Sequence, residues 1–304
     1  MRKIKDNLLQ WIIFGVIISI GIGYFFFEYK PNFIDNVYLN ERLERTKECF
    51  LEEYKNIDYC REYLKNGKVV SNKGALDIFF SLVEYSPLGY LNMLAPFILG
   101  IVSIKKISKI LNSRIAKYYL IRERYKRFVV EIYNSIMKYV FYLPFIYLIL
   151  YLFCVIVSHG NIYGIEGFDP NILALGDNLI IVYLFNVFLM SIIYLLISVI
   201  TVRIVNNYYI GIILNYLLYF VLDILMEIYL KGIVLYLSLG IDTKGYFLFF
   251  NVFNLRSIPN LYIYFGIRIV VAIILFIISI LLYKNKESYV KYLEKGSSLN
   301  ENRA

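Results

Sequence analysis

The sequence is poor in the residues that build metal sites. It contains one histidine, His159, and three cysteines, Cys49, Cys60 and Cys154. One histidine cannot supply a zinc ligand set, and no C-x-x-C pair or Cys/His spacing of the zinc-binding kind occurs. His159 stands at the end of an apolar run and is interpreted as an ordinary interfacial residue. The sequence therefore predicts no metal site.

The cysteine pair Cys49 and Cys60 raises the question of a disulfide bond. The two residues are eleven positions apart in a stretch with helical periodicity. If one unbroken helix carries both, their Cα atoms are about 16 Å apart, whereas bridged Cα atoms lie within about 7 Å. A bridge would need a bend, for example near Asn56. Both forms stay open, and we favour unpaired thiols.

Motifs of catalysis and nucleotide binding are also missing. Gly67–Lys68 is the only Gly-Lys pair, and no serine or threonine follows it, so there is no Walker A motif. Neither H-E-x-x-H nor G-x-S-x-G occurs. We therefore expect a protein that is not an enzyme and has no cofactor or nucleotide site of its own. A membrane enzyme with an unrecognised site is an alternative.

Apolar residues dominate the chain. They make up 60% of it, with a mean hydropathy of +0.62, whereas soluble domains are about 45–50% apolar. Runs of about 20 apolar residues cross a bilayer as helices, because every backbone hydrogen bond must close within the run. The predicted fold is all-α, a single transmembrane domain over 1–304. Its six predicted transmembrane helices are 11–27, 87–104, 138–158, 178–202, 208–230 and 261–283.

Positive charge is concentrated between these runs. The formal net charge is +9, and the connector 105–137 holds nine lysines and arginines against Glu123 and Glu131. Short loops rich in Lys and Arg stay in the cytoplasm, so this connector is predicted to be cytoplasmic. Positive-inside topology accounts for the basic excess without a nucleic-acid partner.

The other connections take their sides from this placement. Segment 28–86 becomes a polar, helical extracellular segment, and both the N terminus and the basic tail 284–304 become cytoplasmic. Segment 231–260 contains two apolar runs that are each too short to span the bilayer. It is predicted to form a re-entrant or interfacial hairpin on the outer side.

The connector is also amphipathic. Its apolar residues recur at helical spacing, namely Ile107, Leu111, Ile115, Tyr118, Tyr125, Phe128 and Ile132. Such a segment could be a solvated basic loop that touches anionic lipid headgroups. It could also be a helix that docks a cytoplasmic partner, which is the interpretation we favour.

Apart from Lys138, the first residue of the third span, three charged residues stand inside predicted spans. Asp223 and Glu227 lie one turn apart in the fifth span, and Arg268 lies in the sixth. The helical rise puts Asp223 and Arg268 at similar depths, about 8 and 10 Å from the outer surface. We predict an Asp223–Arg268 ion pair with Glu227 nearer the outer mouth, because charges within spans usually face the bundle interior and pair. The pair could link two spans or form part of a substrate path, and chance placement of these charges near the interface is a third alternative.

This organisation resembles the permease subunit of type-2 ABC exporters, especially the small kind found in Firmicutes. The resemblance lies in the six spans, the polar outer segment, the basic connector and the paired short apolar segments before span six. Residues 112–128 are similar to the family's cytoplasmic connector, in which an arginine and a Tyr-Lys pair lead into the third span.

The resemblance implies a function and a set of partners. The chain would export a peptide, lipid or drug-like substrate, with ATP hydrolysed by a separate ABC ATPase subunit, and would form a homodimer or a heterodimer with a second permease. The connector would then be the coupling helix. Its expected coupling residues are Ile115, Lys117, Tyr118, Arg122, Arg124 and Tyr125.

A second hypothesis needs no transport. A multi-pass membrane protein could bind a peptide through segment 28–86 as an immunity or sensor protein. Both hypotheses place the chain in the lipid bilayer of a cell membrane. The abundance of Ile, Tyr, Lys and Asn indicates an AT-rich genome and favours a bacterial source.

Overall fold

A computed structural model describes seven parts of the chain. They are residues 2–27, 74–85, 88–111, 125–158, 178–205, 207–226 and 261–284. All regular secondary structure in these parts is helical, which confirms the all-α prediction for them. Most of the predicted extracellular segment, residues 112–124 of the connector, the outer hairpin and the tail lie outside the described residues.

Eight α-helices occur in the described parts. They are α1 (Arg2–Tyr24), α2 (Ala75–Tyr85), α3 (Leu88–Leu111), α4 (Tyr125–Met137), α5 (Tyr142–Val157), α6 (Leu179–Ile204), α7 (Tyr208–Ile224) and α8 (Leu261–Lys284). A short 3-10 helix, Lys138–Phe141, joins α4 to α5. The end of the connector and the third predicted span therefore form one helical stretch. Helix α3 likewise continues past its predicted boundary at residue 104 into the basic connector.

Three helical stretches in the described parts are long and apolar enough to cross a membrane. They are Tyr125–Val157, Leu179–Ile204 and Leu261–Lys284, and shorter apolar helices cover Trp11–Phe27 and Tyr208–Ile224. This composition suits a helical membrane protein. The number of spans and the side on which each terminus lies stay predictions.

The described residues divide into two compact units. The first comprises those within Met1–Tyr90 and Leu148–Glu166. Aromatic edge-to-face contacts pack it, with ring centroids 5.4 Å apart for Phe25–Phe153 and 5.8 Å for Phe79–Tyr151. Helix α2 belongs here, and all but one of its eight described side chains are buried, although it falls in the segment predicted to be polar.

Helix α6 is the centre of the second unit, which comprises the described residues within Leu91–Tyr147 and Gly167–Ala304. It packs against α7, α8 and the 3-10 helix. Because it is apolar on all sides, most of its residues are buried. Its hydroxyl groups are accommodated within the helix, since Ser191 and Thr201 each donate to the carbonyl four residues earlier at 2.8 Å.

The relative directions of these helices follow from pairs of contacts. Helices α6 and α8 are parallel, because Asn186 meets Tyr264 near their beginnings and Arg203 meets Leu282 near their ends. Helix α7 is antiparallel to α6, since Ser198 contacts Asn215 whereas Tyr194, earlier in α6, contacts Tyr219, later in α7. These are the directions that predicted spans four, five and six require.

Candidate functional site

Arg268 is the most deeply buried charged side chain in the described residues. It lies in α8 with no exposed surface. Removing an ion from water costs several kcal/mol even after the protein relaxes, so its surroundings must compensate. The guanidinium carbon lies 3.4 Å from the ring centroid of Tyr264, one turn earlier in the same helix. This close cation–π contact supplies part of that compensation.

Three helices contribute tyrosines around this guanidinium. Tyr194 of α6, Tyr219 of α7 and Tyr264 of α8 are each about 1% exposed and lie within electrostatic range of Arg268. The rings of Tyr194 and Tyr219 meet edge to face, with centroids 5.1 Å apart. The amide of Asn186 donates a hydrogen bond of 3.2 Å to the hydroxyl of Tyr264. The result is a buried polar and aromatic cluster inside apolar helices.

Asp223 borders the same tyrosines. It is half-buried near the end of α7, one turn after Tyr219. Its charge acts on Tyr194 and Tyr219, which are also within range of Arg268. The structure thus brings the two predicted charges to one pair of rings, while the direct ion pair stays a prediction. Glu227 lies outside the described residues. The Arg268 cluster is defined here as Arg268, Tyr264, Tyr194, Tyr219, Asn186 and Asp223.

The chemistry of this cluster is that of binding. Arginine keeps its charge in essentially any environment and offers five donors in a planar fork that matches carboxylate and phosphate groups. Tyrosine rings add apolar surface that carries a polar hydroxyl. Within the described residues, no group of three or more His, Cys, Asp or Glu could hold a metal ion.

The connector is described only at its two ends. Of the expected coupling residues, Tyr125 begins α4, whereas Ile115, Lys117, Tyr118, Arg122 and Arg124 lie outside the described residues. Helix α4 is amphipathic as predicted, since Tyr125, Phe128 and Ile132 are buried and Lys126 is exposed. Tyr125 therefore packs inward instead of standing on the basic surface.

Sequence reasoning missed the role of Arg203 in the last turn of α6. It is 8% exposed, and its Nε donates to the carbonyl oxygen of Leu282 at 3.1 Å. That carbonyl belongs to the last turn of α8, where backbone acceptors have no partner within the helix. The charge of Arg203 also acts on the buried side chain of Tyr125, the first residue of α4. Arg203 therefore links the ends of α6 and α8 and lies within electrostatic range of Tyr125 at the start of α4.

A second missed feature is a polar contact between α3, α6 and α7. The amide of Asn215 donates to the carbonyl oxygen of Pro96 at 3.0 Å, and its oxygen lies 3.1 Å from the hydroxyl of Ser198. All three residues stand in apolar sequence. An uncharged polar residue in such a run indicates a helix contact, but the run does not reveal the partner.

Comparisons with models of protein families, with curated proteins and with solved structures found no match to this chain. The resemblance to exporter permeases accordingly rests on the spans, the connector and residues 112–128. The site rests on the buried contacts of α6, α7 and α8.

Proposed function

We propose that this chain is the membrane-spanning permease subunit of an ATP-driven exporter of the type-2 ABC kind. It moves a peptide, lipid or drug-like molecule outward, and a separate ATPase subunit hydrolyses ATP. The chain pairs with a second copy of itself or with a homologous permease. The observation that carries the proposal is the fully buried Arg268 among tyrosines from three apolar helices.

A buried charge in apolar helices is the expected mark of a transport path. It is costly, and such residues usually face the bundle interior or a water-filled route instead of lipid. The Arg268 cluster offers cationic, hydroxyl and aromatic groups together. These groups suit an amphipathic substrate that must be held and then released. The staple interpretation, in which Asp223 and Arg268 only join two spans, requires no such substrate.

Contacts at the other end of the same helices support coupling to a partner. The hydroxyl groups of Tyr133 in α4 and Ser279 in α8 are 2.6 Å apart. Arg203 joins α6 to α8 at the same end of α8. A force on the connector would therefore act directly on α6 and α8, the helices that carry most of the Arg268 cluster. We assign Tyr125 a positioning role, because its side chain is buried and lies within electrostatic range of Arg203.

The test uses the full chain reconstituted in vesicles with an ABC ATPase subunit from the source organism. We expect the two to co-purify and the ATPase rate to rise with the chain present. Arg268→Met should keep the complex but lower ATP-dependent export by about tenfold, a typical size for a coupling energy. Lys284→Met, at the exposed end of α8, is the control and should export normally.

Two outcomes would contradict the proposal. One is a purified chain that associates with no ATPase yet binds a peptide through segment 28–86, which is the behaviour of an immunity or sensor protein. The other is an Arg268→Met variant that folds, binds the ATPase and exports at the wild-type rate. The second result would leave the arginine a structural link alone.

A further inference from the structure

A basic groove lies where α3 and α4 leave their apolar parts. Its volume is about 550 Å³, within the usual range for a small-molecule site. Lys106 and Lys109 of α3 line one side. Glu131, Asn134 and Ser135 of α4 and Lys138 of the 3-10 helix line the other. Three lysines against one glutamate leave the lining with a net charge of +2, which favours an anionic occupant.

The spacing of these residues makes the groove a continuous surface. Glu131, Asn134, Ser135 and Lys138 recur at i, i+3, i+4 and i+7, so they share one helix face. The three lysines and the amide of Asn134 are donors suited to phosphate oxygens. The hydroxyl of Ser135 instead donates to the carbonyl oxygen of Ile132 at 2.7 Å. Glu131 is an acceptor that a hydroxyl on a headgroup could reach.

An apolar strip continues from the groove along the same helical stretch. Phe141 and Phe145 follow Lys138 at i+3 and i+7, and they are 62% and 52% exposed. Exposed aromatic rings beside a basic groove match a molecule with an anionic head and an apolar tail. A free anion would use the groove and leave the strip empty.

We propose that this groove binds the phosphodiester headgroup of an anionic phospholipid, whose acyl chain lies along Phe141 and Phe145. Basic pockets between membrane helices on the cytoplasmic side hold anionic headgroups in other proteins. The proposal depends on membrane insertion but not on export. A lipid here would touch both α3 and α4, so it would tie the connector to the bilayer on the side where a partner would dock.

The experiment measures phospholipid retained by the full chain after purification from mixed phosphatidylglycerol and phosphatidylcholine, by native mass spectrometry. The wild-type chain should retain more phosphatidylglycerol than phosphatidylcholine. Each Lys→Gln change at 106, 109 or 138 should weaken retention about fivefold, the value of one lysine near an anionic surface. The groove triple variant, which combines all three changes, should weaken it further. The matched control changes Lys105, Lys126 and Lys284 to Gln, which removes the same charge from exposed lysines that do not line the groove.

A second arm separates lipid from free phosphate. Phe141→Ser with Phe145→Ser should lower phosphatidylglycerol retention, and excess inorganic phosphate should displace little of it. The lipid proposal is overturned if phosphate displaces the lipid fully while the Phe variant retains it unchanged. It is equally overturned if the control triple variant loses as much lipid as the groove variants. Should the groove triple variant not purify, the three single variants decide.

Discussion

Asn215 donates a hydrogen bond from its side-chain amide to the carbonyl oxygen of Pro96, and Gly100 makes this approach of α7 to α3 possible. A Cβ atom built on Gly100 would lie 2.5 Å from Nδ2 of Asn215. That amide is fully buried and is also held near Ser198. The contact therefore has no room to shift without losing a hydrogen bond inside the apolar unit.

Gly100→Ala should destabilise the chain by about 1–3 kcal/mol, the usual cost of overpacking a filled core. Gly266→Ala in α8 is the matched control, because no described atom beyond its own helix backbone and chain neighbours lies within 4 Å of the added Cβ. The free energy of unfolding of Gly266→Ala should stay unchanged or rise by up to about 1 kcal/mol, because alanine has the higher helix propensity. Thermal unfolding in detergent, followed by circular dichroism, measures both. Equal melting temperatures for Gly100→Ala and wild type would show that the Asn215 contact relaxes freely.

Much of the helical framework could be predicted from the sequence, because long apolar runs leave the backbone no other way to satisfy its hydrogen bonds. Arg268 and Asp223 could also be singled out from the sequence, because a charged residue is unusual within an apolar run. Buried α2 was not predicted. It is shorter than a span and sits within a segment whose charged residues dominated the interpretation.

The partners of polar residues could not be predicted in the same way. Arg203 binds the backbone carbonyl of Leu282, and Asn215 binds that of Pro96. A carbonyl is present at every residue, so the sequence carries no mark of the one that is used. Tyr194 and Tyr219 stood among 31 tyrosines, and only the packing of α6 against α7 distinguishes them.

The link made by Arg203 gives a second prediction. Arg203→Gln should destabilise by about 1.5–3 kcal/mol, because it removes a charged donor from the carbonyl of Leu282. Arg127→Gln is the control. Arg127 is exposed on α4, and its replacement removes the same charge. Thermal unfolding of the two variants side by side measures the difference. Equal melting temperatures for Arg203→Gln and Arg127→Gln would show that the link does not stabilise the fold.

The connector gives a third prediction. Changing Lys117, Arg122 and Arg124 to Glu should abolish stimulation of the partner ATPase while the chain still inserts, because the basic face would repel the surface it docks. The control changes Lys286, Lys291 and Lys295 to Glu in the tail, which alters net charge equally. Stimulation is measured with co-purified ATPase. Wild-type stimulation by the connector variant would remove the coupling role.

Orientation gives a fourth prediction. In a background without native cysteines, single cysteines at 40–73 and 162–170 should react with an impermeant reagent from outside, whereas those at 112–127 and 288–300 should not. Cysteines at buried α2 positions such as 79 and 80 should stay unreactive, because these side chains have no exposed surface. Labelling of intact cells followed by gel shift measures this. External labelling of 112–127 would invert the topology.

The last prediction concerns the charges of the Arg268 cluster. Asp223→Arg and Arg268→Asp should each destabilise by about 3–5 kcal/mol if they form the predicted buried pair, because each leaves uncompensated like charges. The double variant should recover most of that loss, since it restores opposite charges next to the same tyrosines. Tyr264 contacts the arginine directly, so Tyr264→Leu is a useful companion. It leaves both charges in place but removes the cation–π contact, and it should cost less stability than either charge reversal. Melting temperatures and ATP-dependent export are measured for all four variants.

If the double variant recovers its melting temperature but not export, the pair is part of the transport path. If it recovers both, the pair is a structural link. A double variant as unstable as the sum of the two single changes would show that Asp223 and Arg268 do not pair.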